Sequence, residues 1–403
     1  MAEKVDPFEA SASAIGYVYQ LRQALHLCVG HHGRGLEWSV AIEAGDDIEE
    51  VSNSGTVYYQ LKHRAPGVSL TDASTDLWKT LRIWAHAITG DRLDLDETDL
   101  VLLTTAELPS GSVGNMLQPM ASGCRNEDSA LAALAAARET STNKDLKKAF
   151  EAFDKLTDSQ RQRMVGRIQV FGKAPNVDAV EDLLLERAVT AVGHQYARPF
   201  LSRLEGWFFQ RTIRQLRAQD MDAISGSEFD QMFTDQRNQF RPENLPIDED
   251  IATLEPNLSK YTDHAFVGQL LLIDISSSRI SRAVRDYMRA FTQRSRWSDE
   301  NLLLPGEISR YERRLVEEWE ELFEEMQDEL GAETAETEKV AAARKIYRWA
   351  MSEAQRRIRP DCDEPFVSKG SFHMLADDYR VGWHVDFGAR LMAVLEPVEA
   401  ASK

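Results

Sequence analysis

Residues 38–64 read WSVAIEAGDDIEEVSNSGTVYYQLKHR, and the arrangement of the whole N-terminal half follows from them. Val57, Tyr59 and Leu61 alternate with Tyr58, Gln60 and Lys62, the two-residue period of a half-buried strand, so Gln60 and Lys62 share one face. Asp47 opens the preceding extended segment, and the polar Asn53, Ser54 and Gly55 supply the turn that folds the two strands together. A carboxylate, an amide oxygen and a lysine then meet at one sheet edge.

That grouping has a chemical use. Phosphodiester cleavage calls for a divalent metal held by hard oxygen ligands, a water made nucleophilic, and positive charge near the developing phosphorane. Asp47 offers the carboxylate, Gln60 a side-chain carbonyl, and Lys62 a charge that either orients the water or stabilises the transition state. A carboxylate followed by a strand carrying acid-or-amide, any residue, Lys is the PD-(D/E)XK nuclease pattern. The bare triplet is common by chance, so the flanking elements decide its weight.

Before the hairpin, SASAIGYVYQLRQALHLCV places Ile15, Tyr19, Leu21, Leu25 and Val29 on one helix face, with Ser11 or Ser13 as its cap. After it, STDLWKTLRIWAHAI repeats Leu77, Leu81, Trp84 and Ile88 at helical spacing behind Ser74 or Thr75. DLVLLTTAEL then has the length of a strand buried on both faces. The predicted order is helix, strand, strand with Asp47, strand with Gln60 and Lys62, helix, strand, which is the core order of PD-(D/E)XK nucleases.

Residues 10–108, with GYVYQ, EAGDDIEE and YYQLKHR, resemble the double-stranded DNA endonuclease domain at the N-terminus of CD-NTase-associated and related antiphage effectors. The resemblance implies Asp47, Gln60 and Lys62 as the active centre, with Glu43 and Gln20 as helpers from strand and first helix, and Mg²⁺ or Mn²⁺ as cofactor. Two positions depart from the family pattern: Gln60 replaces the acid of the last motif, and Asp46 stands where the family has a proline before Asp47.

The chain has 403 residues, 43% hydrophobic and 28% charged, the profile of a globular protein of two or three domains rather than a disordered one. No apolar run reaches membrane-spanning length, and MAEKVDPFEA lacks the basic and apolar parts of a signal peptide, so a cytoplasmic location is expected. Cys28, Cys124 and Cys362 are too far apart and too few for a disulfide framework or a zinc motif, and Cys28 reads as core. The net charge of −19 opposes binding to a polyanion. Residues 1–110 alone hold eight Lys or Arg against seventeen Asp or Glu, a balance of −9. Self-assembly or a partner with positive surface is therefore expected to bring DNA to this domain.

Further along, PSGSVGNMLQPMASGCRNE at 109–127 reads as a boundary loop, followed by a series of helices. TDSQRQRMVGRIQVFG predicts a capped helix entering a short strand, and NVDAVEDLLLERAVTAV another capped helix. A helix continues through Gln219 with Leu204, Trp207, Phe208, Ile213 and Leu216 inward and Arg211, Arg214 and Arg217 as a solvated basic edge. Residues 241–260, with three prolines and many acids, are the candidate linker. YTDHAFVGQLLLIDIS is a strand or a buried helix, since periodicity does not separate the two. RISRAVRDYMRAFTQRSRW is an amphipathic helix whose arginines are expected to pair with the acidic helix EISRYERRLVEEWEELFEEMQDEL. KVAAARKIYRWAMSEAQRRI is a helix stopped by Arg359-Pro360. His373, Asp377 and His384 match no compact metal spacing and read as packing residues.

Residues 260–396, through RISRAVRDYMRAFTQRSRW, YERRLVEEWEELF and SFHMLADDYRVGWHVDF, resemble the C-terminal domain of ABC three-component systems. In these an effector is encoded beside an SMC-like ABC ATPase and a small middle component, so the resemblance implies docking or self-assembly. The expected organisation is an α/β restriction-endonuclease-like domain at 1–115 (mixed sheet flanked by helices), a helical middle region at 116–245, and a mainly helical assembly domain at 246–403. The expected function is a Mg²⁺-dependent DNA endonuclease effector of antiphage defence, acting as a homo-oligomer on double-stranded DNA under control of its partners. Two alternatives stand beside it: a non-catalytic adaptor that keeps a degenerate nuclease fold, favoured by Gln60, and a different ATPase partner such as a HerA-type hexamer.

Overall fold

The computed structural model describes residues 7–217, 222–331 and 333–390. The expected lack of a leader at the first residues, the end of the helix through Gln219 and the resemblance beyond residue 390 lie outside them. The chain forms two compact units, Met1–Gln236 and Arg237–Lys403. Among the described residues no helix is long and apolar enough to cross a membrane.

The first unit begins with α1 (Pro7–His31), β1 (Trp38–Ile42), β2 (Ile48–Ser52), β3 (Gly55–Lys62), α2 (Thr75–Thr89) and β4 (Thr98–Thr104). It continues with α3 (Val113–Met116), α4 (Glu127–Thr140), α5 (Lys147–Asp154), α6 (Asp158–Arg167), β5 (Ile168–Phe171), α7 (Val177–Val192), α8 (Ala197–Arg217), β6 (Ile224–Ser225) and α9 (Gly226–Gln239). The six strands make one mixed sheet in the order β5-β4-β3-β2-β1-β6. β1, β2 and β3 form an antiparallel meander, whereas β3, β4 and β5 run parallel. One face of the sheet carries Leu100 and Leu102 into a core with Leu77, Trp78, Leu81 and Trp84 of α2, and Tyr58 packs against it. Gln60 and Lys62 share the face of Tyr58.

Local chemistry explains the boundaries. Ser74 caps α2 by accepting a hydrogen bond from the Leu77 N–H. α6 carries a full capping box between Thr157 and Gln160. α1 starts at Pro7, earlier than expected, because proline suits a first helical position and no breaker lies between it and Ser13. Ser11 and Ser13 are thus inside the helix, not at its cap. Ile15 is 43% exposed, while Tyr19, Leu25, Cys28 and Val29 are buried.

The polar stretch 109–127 does not separate compact units, so the expected division at residue 115 falls inside one fold. Its Val113 and Leu117 are fully buried, Val113 N–H donates to Asp72 at 2.7 Å, and Val170 of β5 donates to Leu117 O at 2.9 Å. β5 and β6, both in the expected helical middle region, complete the sheet on either side because they find hydrogen-bond partners in β4 and β1. Arg211, expected on a solvated edge, is 4% exposed and pairs with Glu228 at 2.6 Å, while Leu216, expected inside, is 54% exposed.

The second unit holds α10 (Glu249–Ala252), α11 (Ala265–Leu272), α12 (Ser277–Asp299), α13 (Glu307–Glu329), α14 (Glu336–Ser352) and α15 (Pro365–Asp377). The expected linker 241–260 is packed: the Pro246 carbonyl accepts from Trp297 Nε1 at 2.6 Å and from Gln293 Nε2 at 3.2 Å. The ambiguous apolar stretch is helix α11, tied to the end of α15 by Gln269 Nε2, which donates to the carbonyls of Ala376 and Val381. The backbones of α12 and α15 approach closely at Gly370, where a Cβ would lie 2.2 Å from Asp286 O. Of the α12 arginines, Arg294 pairs with Glu312 of α13 as expected, where Arg380 binds too, whereas Arg285 and Arg289 pair with Glu255. α14 ends at Ser352, ahead of the expected stop, and Arg359 is buried against both oxygens of Glu307. His373 packs between Phe266 and Tyr347, Asp377 accepts from Tyr287 Oη and the Phe266 N–H, and His384 lies against Glu336. The three form no metal cluster.

Candidate active site

The meander brings the expected residues to the end of β2 and the end of β3. Ile48 is paired with Tyr59, so Asp47, one residue earlier, reaches β3 just beyond that pair. Its Oδ2 accepts the Leu61 N–H at 2.7 Å, which locks the carboxylate between Gln60 and Lys62. Gln60 is 1% exposed and its Oε1 has no hydrogen-bond partner among the described residues. A buried amide oxygen without a donor is costly, and a cation or an ordered water is the usual remedy. Lys62 is half-buried, and Nζ turns back to the Leu61 carbonyl at 3.2 Å. Desolvation lowers its pKa, opposed by the charges of Asp47, Asp76 and Asp46.

Gln20 and Glu43 meet each other and the backbone of Asp47. Gln20 Nε2 donates to Glu43 Oε1 at 3.1 Å and to the Asp47 carbonyl at 2.5 Å. The Glu43 N–H donates to the same carbonyl at 3.2 Å, and Glu43 sits at φ 55°, a left-handed turn that closes the β1–β2 connection. Their observed contacts brace the turn that presents Asp47; the Glu43 side chain itself is exposed.

Asp46 is the functional candidate that the strand pattern did not single out. It is buried, its Oδ2 accepts from Trp84 Nε1 of α2 at 2.6 Å, and its Oδ1 accepts the Asp47 N–H at 3.0 Å. Burial pushes its pKa up to about 7, with a further upward contribution from Asp47 and opposing ones from Trp84 and Lys62. The Asp46-Asp47 doublet was visible in the sequence; the tryptophan that buries the first of the pair lies 38 residues away. On the neighbouring turn Asp76 of α2 is clamped by Arg64, whose Nε donates to Oδ2 at 2.6 Å.

The donors gathered here, two carboxylates and an amide carbonyl, are all hard oxygens, the chemistry that Mg²⁺ and Mn²⁺ select. Among the described residues no group of three or more His, Cys, Asp or Glu side chains is set to hold a metal ion. A cation at this place would rest on one or two carboxylates, Gln60 Oε1 and water, which suits Mg²⁺, since it keeps several of its waters.

The first unit is thus a mixed α/β sheet bearing a carboxylate–amide–lysine cluster, and the second is helical throughout its described elements. Residues 266–391, within the second, match the family model described as C-terminal domain 7 of the ABC-three component (ABC-3C) systems. No curated protein matches the chain.

Proposed function

We propose that this chain is the effector of an ABC three-component defence system and that its first unit is a metal-dependent endonuclease acting on double-stranded DNA. The observation that carries the reading is Gln60 Oε1, buried and without a partner beside the Asp47 carboxylate. Asp47 and Gln60, with Asp46 or Glu43, would hold the cation. Once bound, it would supply charge on a phosphoryl oxygen and a water of lowered pKa. Lys62, its ammonium held by the Leu61 carbonyl, would stabilise charge developing on a non-bridging oxygen. Where Glu43 rather than Asp46 completes the cation's ligands, Asp46, its pKa pushed up to about 7 by burial, would take a proton while Trp84 keeps it oriented. The helical unit would dock the ABC ATPase and the small middle component, or another ATPase such as a HerA-type hexamer, and a homo-oligomer would provide one active site per strand.

The test is cleavage of linear and supercoiled plasmid with Mg²⁺ or Mn²⁺ by the wild type and Lys62→Ala, alone and with the neighbouring operon proteins. Metal-dependent cutting that falls by at least about 100-fold in Lys62→Ala supports the reading, a loss of the size seen for a group stabilising transition-state charge. Absence of cutting in every combination, with a folded protein, turns the reading to a non-catalytic adaptor. That alternative draws on the lack, among the described residues, of a group of three His, Cys, Asp or Glu set to hold a metal, and on the net charge of −19.

A further inference from the structure

In the second unit a cavity of about 170 Å³ opens between α12, α14 and α15. Its wall carries Arg279, Arg282 and Asp286 of α12, Tyr347 of α14, and Lys369 and His373 of α15. The Arg279 guanidinium lies over the Tyr347 ring, 5.2 Å from its centroid, which fixes the long side chain at the rim. Among the described residues neither Arg282 nor Lys369 makes an ion pair; Asp286, which faces them, is half-buried.

At the floor stands His373, with no solvent exposure and no hydrogen-bond partner at Nδ1 or Nε2. Its aromatic neighbours are the rings of Phe266 and Tyr347, at 5.4 and 6.1 Å between centroids. Burial holds its pKa down to about 3, so the imidazole is neutral and offers one N–H donor and one acceptor. Orphaned ring nitrogens in a protein interior call for a partner, and the adjoining cavity supplies one once the ring, which has no exposed surface as it stands, turns toward it.

The charge balance narrows the partner. Three cations against one carboxylate leave two positive charges around a space large enough for a tetrahedral anion and a few waters. A phosphate monoester carries roughly −1.5 to −2 at neutral pH and several acceptor oxygens, which match two cationic rims and an imidazole N–H together. A monocarboxylate would leave one positive charge unmet.

We propose that this pocket of the C-terminal unit binds a dianionic phosphoryl group carried by a small molecule, making the helical unit a ligand receptor as well as a docking element. The proposal does not depend on the nuclease reading of the first unit.

The test is calorimetric titration of the full chain with inorganic phosphate and with adenosine monophosphate, at pH 7 and chloride-fixed ionic strength. The expected result is saturable binding at one site per chain. It should weaken at least tenfold in Arg279→Gln and in Lys369→Gln, and stay unchanged in Arg313→Gln, an exposed arginine on α13 outside the cavity. Tighter binding of the nucleotide than of phosphate would place the natural carrier among nucleotides, and equal binding would assign recognition to the phosphoryl group alone. Circular dichroism and melting without ligand separate loss of binding from loss of fold. As a second readout, the ring ¹⁵N resonances of His373 should move as phosphate saturates. The proposal is overturned if the folded wild type shows no saturable binding, if acetate binds as tightly, if Arg279→Gln binds like the wild type, or if the His373 resonances stay fixed at saturation.

Discussion

Asp46 and Asp47 are adjacent carboxylates given opposite environments. Asp47 spends one oxygen on a strand N–H, while Asp46 is enclosed beside Trp84 and held at a pKa of about 7. A carboxyl whose folded pKa lies above its unfolded one binds more protons in the folded state, so stability falls as pH rises from about 4 to about 7. Asp46→Asn removes the titrating proton and keeps one acceptor oxygen, for Trp84, while setting an NH2 against the Asp47 N–H. It should flatten the pH dependence of the urea midpoint between pH 5 and 8. An unchanged pH slope would show that Asp46 is not the titrating group. If Asp46, Asp47 and Gln60 form the proposed cation site, Mg²⁺ or Mn²⁺ should raise the melting temperature of the wild type at pH 8, and Asp47→Asn should abolish the rise. Asp47, Gln60 and Lys62 were legible in the sequence because a two-residue period alone puts Gln60 and Lys62 on one face and a turn signal supplies the fold-back. Asp46 was not, because its burial depends on a tryptophan contributed by a later helix, and no local pattern encodes that.

Elements were legible where their signals are local. The Ser74 cap of α2 and the Thr157–Gln160 box of α6 need only neighbouring residues. Ser74→Ala should cost about 1 kcal/mol in the denaturant midpoint, by stranding the Leu77 N–H. The stretch that became α11 was ambiguous, because what settles it as helix is Gln269 reaching two carbonyls more than a hundred residues away. Glycines give a paired test of helix packing. At Gly370 an added Cβ meets the backbone of α12 at 2.2 Å, whereas at Gly206, inside α8, it meets nothing within 4 Å. Gly370→Ala should therefore destabilise by roughly 1–3 kcal/mol through overpacking. Gly206→Ala should stabilise by about 0.5–1 kcal/mol through helix propensity. Equal effects of the two in thermal unfolding would contradict the close approach of α12 and α15.

At the scale of the molecule, the chain closes one core before beginning the next. The sheet recruits β5 and β6 from well past residue 115, and the boundary between compact units falls at Gln236. The glycine- and proline-rich segment at 109–127 looked like a seam because its composition is that of a loop. Composition is silent on Val113 and Leu117 being fully buried in a core shared with β5. Two expectations for truncation follow. A fragment ending at residue 115 keeps α2 but lacks β5, β6 and α4 to α6, whose Leu134, Phe153 and Val165 share one core with Leu100 and Leu102. It should be insoluble or lack a cooperative melt. Fragments 1–236 and 237–403 each keep the core of one compact unit, with α9 cut three residues before its end, and should each unfold cooperatively by circular dichroism, since a unit with its own core can fold alone. If 1–236 melts cooperatively but 1–115 does too, with the same denaturant sensitivity per residue, the core is divided at 115 after all. If neither 1–236 nor 237–403 folds, the two units depend on each other for stability.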